Sequence, residues 1–225
     1  MKFSAPVRWL PALAFFACLI AAMAGAPAWG AGANAANATV TYRKIFKSSY
    51  PEYVEIKISN SGTGTFDIRQ LSEESNPHTM RLDAALVQSI FDLAAKLNNF
   101  DGVDLEIHRR IANLGQKTFE FNRGAESHQV TFNYTLNHDA VQLLTIFEGL
   151  SRQQTDLSDL ERTMRYDPLG VNDVLLQVQK DLDNKLVPDP AQFLPSLDRL
   201  AADTHFIDIA RDRARKLAAR IRSSS

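Results

Sequence analysis

Tyr53-Val54-Glu55-Ile56-Lys57-Ile58-Ser59, then Asn60-Ser61-Gly62-Thr63-Gly64, then Thr65-Phe66-Asp67-Ile68-Arg69-Gln70-Leu71 is the stretch that decides the fold. Its first seven residues alternate apolar and polar side chains, the pattern of a strand with one buried face. The next five are turn formers. Alternation then resumes, so the whole reads as a β-hairpin. Upstream, Ala38 to Phe46 is rich in β-branched and aromatic residues (Val40, Tyr42, Ile45) and reads as a third strand. Downstream, Ser72 to His78 is a polar loop containing Pro77.

From Arg81 to Asn98 the period changes. Leu82, Leu86, Val87, Ile90, Phe91, Ala94 and Leu97 recur at three- and four-residue steps, the stripe of an amphipathic helix. Leu105 and Ile107 suggest a short strand. Two further alternating runs, Lys117 to Asn122 and Gln129 to Tyr134, flank the turn Arg123-Gly124-Ala125-Glu126 and predict a second hairpin. Asn137 or Asp139 is placed to cap a following helix with the stripe Val141, Leu144, Phe147 and Leu150. Strands joined by short turns pair antiparallel. Residues 39–153 are therefore expected to form an α+β domain, a sheet of hairpins packed against one or two helices.

Residues 155–225 carry only helical stripes. Breaks fall at Asp167-Pro168-Leu169-Gly170 and Val187-Pro188-Asp189-Pro190, with Pro190 suited to a helix start. Three or four short helices result, a C-terminal extension or small bundle expected to pack on the first region.

The chain opens with Met1-Lys2 and Arg8. An uncharged run of 16 residues follows, Trp9 to Ala24, and then a tail of Gly, Ala and Pro. These are the three parts of a secretory signal. The run is shorter than the roughly 20 apolar residues of a membrane-crossing helix. Residues 1–35 are read as a signal peptide cleaved between Ala28 and Ala38, which places the mature chain in the periplasm or outside the cell. Cys18 is the one cysteine and lies within the leader, so the mature chain forms no disulfide and is stabilised by its packed core. Loss of Lys2 and Arg8 leaves 23 cations against 26 carboxylates. That balance argues against nucleic acid as a partner.

The order of elements in residues 39–153 resembles a family of short exported bacterial proteins of unknown function. The likeness rests on the strand pair Tyr53 to Leu71, the helix from Arg81-Leu82-Asp83 to Leu97-Asn98-Asn99-Phe100, and the strand pair Phe119 to Tyr134 around Gly124. Members often carry two cysteines before the first hairpin, where this chain has Ser48-Ser49-Tyr50-Pro51. The resemblance implies a hairpin–helix–hairpin domain and brings no chemistry.

Phe100-Asp101-Gly102-Val103-Asp104-Leu105-Glu106-Ile107-His108 is similar to the active-site strand of chitinase-type glycosidases. Alternation would set Asp104, Glu106 and His108 on one side. His108 stands where those enzymes carry the proton-donating Glu, and their fold, a barrel of about 250 residues, does not fit this length. Asp104, Glu106 and His108 are thus the catalytic candidates for a glycan-directed hydrolase. Asp101, Asp104 and Glu106 are the candidates for a hard cation. The alternative is a loop with solvated carboxylates. The five histidines have no metal-pair spacing, and no nucleophile elbow, phosphate loop or dinucleotide fingerprint occurs. The last helix is basic. Arg211, Arg215, Lys216, Arg220 and Arg222 are candidates for contact with an anionic surface, peripheral to a membrane, against a solvated helix end as the alternative. No cofactor is expected. The function expected is that of a non-catalytic cell-envelope or secreted interaction module, with an envelope protein or polymer as partner.

Overall fold

The computed structural model describes Met1, Lys2 and residues 37–224. Apart from Met1 and Lys2, residues 1–35, which the sequence suggests as a leader, lie outside that description, as do Cys18 and most of the expected cleavage range. Among the described residues, no helix is long and apolar enough to cross a membrane.

The decisive hairpin forms as expected. Strand β1 (Ala38–Ile45) precedes β2 (Tyr53–Ser59) and β3 (Thr63–Arg69). Gly62 takes φ +83° in the turn, a conformation open to glycine at little cost. Leu82 N–H donates to Gly62 O at 2.9 Å, which brings a further strand, β4 (His78–Arg81), onto β3. The second hairpin is β5 (Gln116–Arg123) and β6 (Glu126–Phe132). All neighbours are antiparallel, in the order β4-β3-β2-β1-β5-β6. The fold is α+β: one six-stranded antiparallel sheet with helices packed on it and a helical C-terminal region.

The register fixes which face is buried. Phe66, Ile56, Tyr42, Phe119 and Val130 stand in one row across β3, β2, β1, β5 and β6. Helices α1 (Ala84–Lys96) and α2 (His138–Tyr166) cover this face. Phe147 of α2 stacks on Tyr42 with ring centroids 5.3 Å apart, and Phe100 stacks on Phe119 at 5.4 Å. Asp83 caps α1 by accepting from the N–H groups of Ala85 and Leu86, and Asn137 caps α2 through Ala140 N–H. The opposite face is polar. Arg43 links Glu55 at 2.8 Å and Glu120 at 3.9 Å, and Tyr53 donates to the same Glu55. Arg69 lies over the Tyr53 ring, 4.4 Å from its centre, and pairs with Asp67.

Three features depart from the sequence-based expectation. The end of the polar loop becomes β4. The expected short strand at Leu105 and Ile107 is an irregular segment instead. Asp104 accepts from Glu106 N–H and Glu106 from Ile107 N–H, and the single backbone bond to the neighbouring chain, Ile107 N–H to Tyr134 O at 3.1 Å, does not extend into a ladder. And α2 runs unbroken for 29 residues through position 154. Its first half closes the apolar cluster of the sheet, and Leu160 in its second half belongs to a second cluster. That cluster is built with α3 (Val171–Asp183), α4 (Leu194–Ala202) and α5 (Asp208–Ser224).

The seam between the clusters is polar and buried. Asp189 accepts from Asp83 N–H at 3.2 Å and from Gln192 Nε2 at 3.0 Å, while its own N–H donates to Gln153 Oε1 at 2.9 Å. Gln154 reaches Gln192 at 2.8 Å. Gly149 lets Pro188 lie against α2: a Cβ there would stand 2.7 Å from Pro188 Cγ.

Candidate functional site

β3 and β4 form one side of a cleft of about 530 Å³, and α2 forms the other. The cleft opens beside the seam because α2 outruns the sheet there. Phe66 and Ile68, half-buried at the end of the inner face, make its floor. His78 pairs with Phe66 across β3 and β4 and stacks on it, centroid to centroid 5.5 Å. Asn76 leans on His78 at 3.4 Å. The α2 wall is polar: Gln154, Thr155, Ser158 and Asp159.

The rim carries an excess of negative charge. Asp67 is neutralised by Arg69 at 3.0 Å and accepts from Ser75 Oγ at 2.8 Å. Arg69 also donates to the carbonyls of Gln70 and Glu73, which curls the 70–75 loop over the cleft. Glu73 and Glu74 remain on the rim, with Asp159 opposite, held by Arg162. Tyr50 projects from the facing loop almost fully exposed. That loop is tied down by Glu52, which accepts from Ser48 and Leu71 N–H. These two bonds hold its carboxyl below the usual range. Such a surface, aromatic at the floor and amide- and carboxylate-bearing at the wall, suits contact with an extended or cationic group.

The candidates read from the sequence lie elsewhere. Asp104 and His108 pair with each other at 2.6 Å, and both are exposed. The hydrogen bond to His108 lowers the Asp104 carboxyl, and the same bond raises the imidazole. Glu106 is committed to backbone: its carboxylate accepts from Asn133 N–H at 2.6 Å and from Ile107 N–H at 3.1 Å, fastening the loop to the end of β6. Asp101 faces His128 at 3.4 Å. Asp104 and His108 thus serve each other, Glu106 serves the backbone and Asp101 faces His128, and none of the four lines the cleft. Among the described residues, no group of three acidic, His or Cys side chains could hold a metal ion.

Near this loop Lys117 is buried and donates to three carbonyls, Leu114, Gly115 and Asn133, at 3.0, 3.1 and 2.8 Å. Burial lowers its ammonium, and the charge of Lys44 adds to that effect. All three of its protons are used, so it acts as a clasp between the loop and the hairpin.

On α5, Arg211 pairs with Asp208, Arg215 with Asp212, Arg220 with Asp183 and Arg222 with Asp198. Lys216 lies among Gln179, Asp212, Arg213 and Arg220. Four of the five basic candidates therefore meet a carboxylate of the same chain.

Sequence reasoning missed the cleft. Its walls come from segments some 80 residues apart, and no local pattern announces that α2 continues past the sheet. Compared with known proteins, the chain matches no protein-family model and no curated protein.

Proposed function

We propose that the chain is an exported cell-envelope protein that acts without catalysis, holding a partner in the cleft between β3, β4 and α2. The partner is an extended segment of an envelope protein or polymer that presents cationic groups. The cleft carries this reading. It combines a stacked Phe66–His78 floor, side-chain amides and an acidic rim, and the wall behind it is one rigid helix. Export rests on the leader read from residues 1–35, and the likeness to short exported bacterial proteins is of a piece with it. Glu106 is spent on backbone N–H groups, Asp101 faces His128, and the Asp104–His108 pair stands exposed outside the cleft, which speaks for binding over hydrolysis.

A photoactivatable cross-linker placed at Ser158 tests the reading in cells, with Lys216 as the control position. Capture of one envelope component from Ser158, lost on Phe66→Ala and absent from Lys216, is the expected result. Equal capture from both positions overturns it. The hydrolase alternative has its own test. Release of sugar from a glycan panel that disappears in the Asp104→Ala, Glu106→Ala double variant would replace the binding role with an enzymatic one.

A further inference from the structure

The contact between α2 and α3 buries two carboxylates face to face. Asp181 is 2 % exposed and Asp156 8 %. One cation serves both: Arg152 Nη1 lies 3.7 Å from Asp181 Oδ1, and its side chain is half in solvent. Gln177 Nε2 donates to Asp181 Oδ2 at 3.1 Å. Asp156 Oδ2 has no hydrogen-bond partner and is sealed from water. With both groups ionised, the site would hold two negative charges against one partial neutraliser, and an acceptor oxygen would be left bare. Burial disfavours that state strongly. A single proton between the carboxyls resolves both defects. It leaves one charge opposite Arg152 and turns the bare oxygen into part of a short acid–carboxylate bond.

We propose that Asp156 and Asp181 share one proton across the α2–α3 contact, and that loss of this proton loosens α3 from α2. The surroundings support the assignment. Asp159, the remaining charged group acting on Asp156, is a further negative charge on α2. Asp189, from the segment packed on α2, is occupied by Asp83 N–H and Gln192, and Glu161 of α2 itself by Ser196 and Arg199 of α4. Burial first, then the bond and charge of Asp181, raise the Asp156 carboxyl to about 7. A carboxyl raised on folding contributes stability that is fully present below its unfolded range near 3.8 and lost as pH rises through about 7. The helical layer is thus clamped in acid and eased above neutrality. Helix α5 follows α3, because Arg213 reaches Asn172 and Gln179 and Arg220 reaches Asp183.

Urea unfolding of the full chain between pH 5 and pH 8.5 tests the clamp, with Asp156→Asn beside the wild type. His108, whose raised imidazole also loses its contribution as pH rises, is common to both proteins. The difference between them therefore isolates the pair. The expected result is a difference that shrinks steadily as pH rises from 5 and levels off near pH 7, the variant being the more stable protein on that plateau. A difference constant across this range overturns the proposal. Carboxyl carbon NMR on the wild type detects the shared proton directly, without any variant. One aspartate titrating near neutrality is expected, and titration of every aspartate below about pH 5 overturns the shared proton. Amide exchange, corrected for its intrinsic pH dependence, should quicken in α3 as pH rises from 5 to 7 while β1 stays protected. Equal behaviour of the two elements would show that the clamp does not govern docking.

Discussion

The sheet-bearing half closes its core with rings, while the helical half closes its own mostly with aliphatic side chains and admits acids. Tyr42, Phe100, Phe119, Phe132 and Phe147 are all fully buried around the sheet. Leu160, Val171, Leu175, Val178, Leu197 and Leu200 do the same work among the helices, joined by Phe193 and Phe206. The polar groups buried at the seam and in the helical half include Gln153, Gln154, Asp156, Asp181, Asp189 and Ser196. Paired strands satisfy their backbone across the ladder and leave the buried face mainly to apolar contact, with Lys117 at its edge as an exception. Short helices crossing one another have ends and turns to satisfy, and side-chain carboxylates and amides take that task. Near neutral pH the helical half is therefore expected to respond through its buried acid pair, and the sheet half through the exposed His108–Asp104 pair on its surface while its aromatic core does not titrate.

The largest perturbation of this contrast is Phe119→Ala. It removes a ring that touches Tyr42, Phe100, Phe132 and Phe147 and should cost about 3–5 kcal/mol in urea unfolding. Leu160→Ala, in the other cluster, should cost about 2–5 kcal/mol. If both substitutions lower one shared transition, the halves fold as a unit through α2. Separate transitions would split the molecule at residue 154. Gly149→Ala sharpens the same question at the seam. Its Cβ would press on Pro188 Cγ at 2.7 Å, and a loss of about 1–3 kcal/mol by overpacking is expected from thermal melts. Asp83→Ala removes the α1 cap, a loss of about 1 kcal/mol, and should leave the pH response of the helical half unchanged. Smallest of all, Arg222→Ala breaks the exposed bridge to Asp198. It should change stability by at most about 1 kcal/mol and leave binding to anionic vesicles unaltered. A marked loss of vesicle binding would return α5 to the role of a membrane contact.

Much of the sheet half is legible in the sequence, because its signals are local. The period-two runs, the Gly62 and Gly124 turns and the Asn137 cap each declare themselves within a few residues. The breaks at 167–170 and 187–190 are legible for the same reason. The rest depends on partners distant in the chain. β4 exists because Leu82 N–H finds Gly62 O, and its four residues carry too little pattern to show it. Leu105 is buried and apolar, which resembles a strand residue. The carboxylates beside it nonetheless bend the backbone into local bonds. The continuity of α2 is hidden because its apolar stripe changes sides where one cluster hands over to the next. Of the residues singled out for chemistry, Glu106 shows the limit plainly. An acidic residue in an alternating run looks the same whether its carboxylate faces a substrate or ties down a chain end.

The uninterrupted α2 also bears on the order in which the molecule can assemble. At 29 residues it is about 43 Å long. Its first four turns are the lid without which the sheet's aromatic row stays wet. Once roughly 150 residues have been made, that lid is present and the N-terminal core can close. The remaining turns of α2 then project as a finished template, and the later helices condense on it one after another. They have only short-range searches left to make. Growth along the chain and growth of the structure therefore run in the same direction.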